Sequence, residues 1–216
     1  MRIKLWLILI ITGYLQGYNP EHFKQLTTTK ICRDCDLTNA MLQGYDLSGA
    51  DVQGADFSGA NMSGTQFPGA NFKNAILNNT TFSSSLLDHV DFTGIKAQGA
   101  LFVNTHLQYS KFINADLTNA NFTFTSPYHT DFTGAIFKDT RFDHADMLNT
   151  ILRNSTGNII TDYRTNICCT IMSDGTIASL AGYKCGNRET SGCKDVSMTA
   201  YDQTGKRQTL YTGRQT

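Results

Sequence analysis

From Cys35 to Asn154 the chain keeps one frame of five residues, 24 units in 120 residues, and never slips. No other feature narrows the fold so far, because helices repeat at about 3.6 residues and strands at about two. Each unit has a centre, running Leu37, Leu42, Leu47, Val52, Phe57 and onward to Leu152. Eleven centres are Phe, eight Leu, two Met and one Val, and only Ala97 and Pro127 depart. Two places before the centre the residue is small in 22 units, with Tyr45 and Ile95 the exceptions. Two places after it stand nine Gly, eight Asn and Asp139.

These columns are three physical demands. A large apolar centre and a small residue two before it share one side of an extended segment. Gly, Asn and Asp accept the backbone angles of a sharp corner. Each unit is therefore a short edge followed by a bend, and edges that keep turning one way close into a coil with an apolar interior. Stacked coils bury each centre against its equivalents above and below and satisfy backbone groups between layers. In Ile95-Lys96-Ala97 the large and small inward residues have traded places, which keeps the interior volume.

The pattern A-[D/N]-[L/F]-x-x, as in Ala55-Asp56-Phe57-Ser58-Gly59, resembles the pentapeptide-repeat family over about 120 residues. The resemblance implies an all-β fold, a right-handed quadrilateral β-helix with four units per coil and about six coils. Spacing of 20 residues then sorts the interior into ladders. One is Leu42, Met62, Phe82, Phe102, Phe122, Phe142; the ladder opposite is Val52, Phe72, Phe92, Phe112, Phe132, Leu152. Every one of these aromatics sits on an inward column, so they read as stacked core and not as a cofactor site.

The N-terminus, MRIKLWLILIITGYLQGYNPEH, places Arg2 and Lys4 before the apolar run Leu5 to Ile11, in the manner of a secretory signal. The run is shorter than the roughly 20 residues that span a bilayer. Cleavage is expected after Gly17, with export to a periplasmic or extracellular space. An oxidising compartment makes disulfides the first reading of the six cysteines. Extending the frame backward puts Cys32 on a centre and Cys35 on a small inward position, as a disulfide or two buried thiols. A redox Cys-x-x-Cys lacks the βαβ context it needs, and zinc would need two more ligands nearby.

After Asn154 the sequence frame stops. The segment NICCTIMSDGTIASLAGYKC, 166–185, predicts a hairpin about Asp174-Gly175. The four cysteines beyond Asn154 allow three pairings. Both ends are similar to exported pentapeptide-repeat proteins, with a paired-cysteine turn leading into the first repeat and a Met-x-Asp-Gly-Thr segment after the last. That resemblance implies the bridges Cys32–Cys35, Cys168–Cys185 and Cys169–Cys193. The expected organisation is a signal peptide (1–17), an N-terminal cap (18–34), the β-helix (35–154), a disulfide-bonded C-terminal hairpin cap (155–193) and a polar tail (194–216).

The chain carries 18 basic and 18 acidic residues, so bulk charge suggests neither nucleic acid nor an acidic membrane. No P-loop, dinucleotide turn, HExxH or nucleophile elbow occurs. Pairs such as Asp51 and Asp56 stand where the repeat prefers Asp or Asn anyway, so no catalytic residue, metal ligand or cofactor site is assigned. One outward cluster stands out. The corner column of the third face runs Gly49, Gly69, His89, Tyr109, His129, Asn149, with His106 and Tyr128 on that face and Phe124 on the corner leading into it. Aromatics replacing corner Gly and Asn on a polar rod suit a partner-binding patch: His89, His106, Tyr109, Phe124, Tyr128 and His129.

The function expected is therefore an exported, non-enzymatic solenoid presenting a face to another protein, with oligomeric state open and no stable membrane span after cleavage. The family resemblance supplies an alternative, a DNA-mimicking rod that protects type II topoisomerases. The repeat carries 11 Asp against six Lys plus Arg, a net of −5. Without residues 1–17 the chain has 16 basic and 18 acidic residues, net −2, which is weak for DNA mimicry. A third reading is a purely structural or cell-envelope protein.

Overall fold

The computed structural model describes residues 17–162, 164–167 and 170–171, and the backbone of 177–178, 199–201 and 207–209. The expected signal peptide lies outside the described residues except for Gly17. So do Cys168, Cys169, Cys185 and Cys193, and with them both expected C-terminal bridges.

Helix α1 spans Pro20–Thr29. Its start is written locally: the Asn19 side chain accepts from the Glu21 and His22 amides at 3.0 and 3.4 Å, and Pro20 occupies the first helical position. It ends at Lys30, whose positive φ of 58° lets its amide donate to the Leu26 carbonyl. Leu26 is fully buried in the same core as the repeat centres. The helix is thus seated on the first coil, where the Asp36 amide donates to His22 Nδ1 at 3.0 Å. Tyr45, the large residue in a small column, is 40% exposed and turns its ring edge to Phe23 at 6.0 Å. Its size fills the junction between helix and coil instead of crowding the interior.

The repeat folds as a parallel β-solenoid. Bridges join residue i to i+20 from Ile31↔Asp51 through Ile151↔Ile171. Along each ladder the amide of a centre donates one layer on, as Leu37 to the Asp56 carbonyl at 2.8 Å, and the Asp56 amide answers to Cys35. Backbone groups are thereby satisfied between layers. Every fifth residue from Asp34 to Asn154 has positive φ, which turns the chain at each corner and gives four edges per 20-residue turn. Strand β1 (Ile136–Arg141) pairs in parallel with β2 (Thr156–Ile160). Strand β3 (Thr170–Ile171) pairs antiparallel with β4 (Ile177–Ala178), and β5 (Thr199–Tyr201) with β6 (Arg207–Thr209). The first of these antiparallel pairs flanks Asp174-Gly175, where the sequence placed a hairpin, and residues 172–176 themselves lie outside the described residues. No helix among the described residues is long and apolar enough to cross a membrane.

The centres are core throughout. Phe82, Phe102, Phe122 and Phe142 stack nearly parallel, with centroids 5.0, 4.6 and 4.7 Å apart. Phe72, Phe92, Phe112 and Phe132 form a second stack, and the two stacks meet edge to face, as Phe102 does with Phe112 at 5.6 Å. Both arrangements are favourable for aromatic quadrupoles. Ile95 and Ala97 are both buried, so the swapped pair does fill the interior. Hydroxyls in the small column are buried too, and each finds a carbonyl: Thr80 donates to Phe57, Thr130 to Leu107 and Thr150 to Pro127, each 23 residues back.

The structure amends the sequence frame at its end. Stacking does not stop at Asn154. Register slips by one residue between β1 and β2, from Ile136↔Thr156 to Arg141↔Ile160, and a 20-residue offset returns at Asp146↔Asn166. Beyond the slip Thr165, Ile167 and Thr170 are buried, and Thr165 and Thr170 donate to Phe142 and Met147 in the same 23-residue pattern. Layers need only an extended edge at the right height and a small–large inward pair, and this stretch still offers both.

Candidate functional site

Where the residue before a centre is Asp or Asn, that position is structural. Its carboxylate or amide oxygen accepts from the amide two residues on, as Asp56 does from Ser58 at 2.8 Å, Asn121 from Thr123 at 2.9 Å and Asp131 from Thr133 at 2.8 Å. This is an Asx turn repeated down the rod, and it pre-bends the chain into the corner. The same carboxylates take surface cations: Arg33 reaches Asp51 at 2.5 Å and Lys73 reaches Asp91 at 3.3 Å. The hydrogen bond from Arg33 holds the Asp51 carboxyl below the usual range. Burial works upward on Asp91, but bonds from Thr93 and Lys73 outweigh it and hold that carboxyl low as well. Asp51 and Asp91, kept ionised in turns and ion pairs, are scaffold.

Corner geometry separates one face from the rest. Most corners are Gly, Asn or Asp, the residues that adopt positive φ at least cost. Gly94 shows a further demand, since a Cβ there would meet the Asn74 side chain at 2.5 Å. Six corners break the rule: Ser84, His89, Tyr109, Phe124, His129 and His144, with φ between 56° and 61°. All six stand on two corner columns, 84-104-124-144 and 89-109-129-149, and those columns are the two borders of a single face. Bulky residues in this conformation are strained, and such strain gathers where something other than folding selects it.

The rings on those corners are ordered. Tyr109 is 47% exposed and is sandwiched by His89 and His129, each with a centroid 5.1 Å away and its ring nearly parallel. Tyr128 sets its edge against Tyr109 at 6.0 Å and His129 at 4.2 Å. His106 is exposed within the face, in the ladder Leu86–His106–Ser126. Leu86 adds a 37% exposed apolar side chain where the repeat elsewhere prefers Asp or Asn. Because the Tyr109 ring stands between them, His89 and His129 cannot share one metal ion, whose bonds to nitrogen are about 2.0–2.1 Å.

Phe124 is brought to the other border, not into this stack. It is 55% exposed and packs on His144 at 4.5 Å. A shallow hollow beside it is lined by Asn121, Arg141, Asp143, Ile160 and Asp162. His144 Nδ1 lies 2.9 Å from Asp162 Oδ2 without an aligned hydrogen bond, and its Nε2 lies 3.1 Å from Arg164 Nη1. The sequence reading missed His144. Its signal was available, because it stands 20 residues after Phe124 in the same column.

At the N-terminal end Cys32 and Cys35 are joined by a disulfide and buried in the core, on the centre and the small inward position.

Known proteins agree with the repeat. The family model "Pentapeptide repeats" matches in eight copies, over residues 31–65, 46–84, 85–123 and 128–156. No curated protein sequence matches the chain. Among solved structures, the pentapeptide repeat protein Rfr23 from the cyanobacterium Cyanothece 51142 is 21% identical, over 68% of this chain and 97% of that one, with a TM-score of 0.46. A trypsin-treated form of QnrB1, a plasmid-mediated fluoroquinolone resistance protein, is 19% identical over 66% and 78% of the two chains, with a TM-score of 0.42. A pentapeptide repeat protein from the Arabidopsis thaliana thylakoid lumen is 26% identical over 54% and 71%, with a TM-score of 0.23. The repeat match covers more than half of the chain, and on that ground the protein belongs to the pentapeptide repeat family.

Proposed function

We propose that this protein is an exported, non-enzymatic solenoid whose His/Tyr face docks another protein. The reading includes a right-handed, four-sided rod of about six coils, closed by helix α1 at one end and a disulfide-bonded hairpin at the other. One observation carries it: the six corners that forgo Gly, Asn and Asp all border one face, and the exposed rings of the rod sit there. A rigid rod offers faces and not clefts, and Tyr and His edges suit a protein interface. Export rests on the N-terminal pattern Arg2, Lys4 and Leu5 to Ile11.

The test is a pull-down from the native host. A Tyr109→Ala, Tyr128→Ala double variant should fold and lose the partner, because these rings lie outside the core. DNA mimicry predicts capture of a type II topoisomerase, weakened by Asp51→Asn and Asp91→Asn and indifferent to the tyrosines. A double variant that retains every partner contradicts the docking face.

A further inference from the structure

Building on the docking face, we propose that its occupant is a basic, Arg/Lys-bearing protein segment, held near neutral pH and released on acidification.

The outward positions of this face run Asp46, Ser48, Gln66, Pro68, Leu86, Asp88, then His106, Gln108, Ser126, Tyr128, Asp146, Leu148. Among the described residues, Lys30 reaches Asp46 and the Ser48 carbonyl at the helix end and Arg164 meets His144 at the other, and between those two ends no Lys or Arg stands on the face or its border columns. The cations of the repeat, Lys73, Lys96, Lys111, Lys138, Arg141 and Arg153, all project from the other three faces. In the middle of the face an acidic segment would therefore find no counter-charge, while a basic one finds the Asp88 carboxylate beside aromatic edges. Asp88 is central, one layer from His106 and Gln108; one oxygen accepts from the Gln108 amide at 2.9 Å. Tyr109 and Tyr128 flank it on the same side, with hydroxyls and ring edges able to receive guanidinium or ammonium groups.

The imidazoles set the pH dependence. With histidines neutral the face carries three carboxylates, Asp46, Asp88 and Asp146, and Lys30 on the first of them leaves a formal −2. Protonating His89, His106 and His129 adds +3 and turns the sum to +1. The neighbouring charges do not cancel this change. Lys30 lies 3.4 Å from Asp46 at the helix end, and Asp146 takes the Asn166 amide at 2.7 Å at the other. His144 on the far border faces Asp162 and Arg164, with Arg141 and Asp143 paired beside it at 2.6 Å. Between those ends His89, Tyr109, Tyr128 and His129 face one another, Asp88 stands next to His89 on the face, and Asp91 (paired with Lys73), Lys111 and Asp131 stand just past the corners on the adjacent face. Histidine is the side chain that changes charge on mild acidification, so acidifying the medium turns the face from attracting a cation to repelling it.

The experiment uses the whole mature protein and two synthetic 12-residue peptides, one of four Arg-Leu-Ser units and one of four Glu-Leu-Ser units. Binding is followed by calorimetry and by the imidazole NMR signals at pH 7.5 and 5.5. The basic peptide should bind at pH 7.5, move the His106 and His129 signals, and weaken at least tenfold at pH 5.5. Asp88→Asn should weaken it at least fivefold, and Asp91→Asn on the adjacent face should not. A Tyr109→Asn, Phe124→Asn variant should keep its melting temperature and lose the peptide. Preference for the acidic peptide, equal binding at both pH values, equal effects of the two Asp changes, or no binding to either peptide overturns the basic occupant. The docking face itself falls only if the tyrosine double variant also keeps its host partners.

Discussion

Truncating Phe102 to Ala tests the register of the whole rod. The ring is fully buried, stacks on Phe82 and Phe122 at 5.0 and 4.6 Å, and meets Phe92 and Phe112 edge-on at 6.0 and 5.6 Å. Phe-to-Ala changes in cores cost about 3–5 kcal/mol. Each aromatic pair adds about 0.5–1.5 kcal/mol beyond its area. The surrounding edges are pinned by bonds such as Phe102 to the Asn121 carbonyl at 2.8 Å, so the cavity cannot collapse. We therefore expect about 4–5 kcal/mol, the upper part of the range. Gln108→Ala, on an exposed outward position, should stay within about 0.5 kcal/mol. Urea unfolding followed by circular dichroism measures both, with the midpoint falling and the slope unchanged if the rod unfolds as one unit. Equal tolerance at the two sites would refute the inward and outward assignment.

Four further outcomes are expected. Tyr109→Asn and Phe124→Asn each trade a relief of about 1–2 kcal/mol of left-handed strain against about 0.5–1.5 kcal/mol of lost ring contact. Thermal melts should show stability unchanged or raised, and a loss of more than about 2 kcal/mol would remove the strain argument. Thr130→Val deletes a buried 2.6 Å bond to the Leu107 carbonyl and should cost about 1 kcal/mol in urea titration, whereas no change would make the hydroxyl idle. Asp51 and Asp91 have folded pKa values below their unfolded ones, so the stability they contribute is present above about pH 4 and is lost as pH falls through the folded values. Asp51→Asn with Asp91→Asn should flatten the pH profile below about pH 4, and an unaltered profile would contradict these pairings. Protein purified from its native host should begin near Tyr18 and titrate few free thiols, while six free thiols would overturn the export reading.

The solenoid was legible because its physics is local and repeats. A large centre, a small partner and a corner residue recur in every unit, so one unit explains the next. The end of the ladder was less legible. Thr165, Ile167 and Thr170 restore the inward pair after a one-residue slip, and a strict five-residue frame cannot see past the slip. Tyr45 looked like a misfit until helix α1 supplied Phe23 to meet it. At the candidate site the sequence found His89, His106, Tyr109, Tyr128 and His129 on one face. It grouped Phe124 with them, although that ring packs on His144 along the opposite border of the face. What the sequence could not show is that the replaced corners keep positive φ. A bulky residue could have relaxed its corner, and only coordinates reveal that Tyr109 and Phe124 hold φ at 58° and 60°.

The central claim is that one face of this rod meets a partner and the other three do not. A photo-crosslinking residue in place of Gln108, exposed in the middle of that face, probes it directly in the native host. The same residue in place of Gln98, exposed on the opposite face, is the comparison. The account predicts a discrete cross-linked protein from position 108 and none from position 98. A product of equal yield from both positions, or from 98 alone, would contradict it.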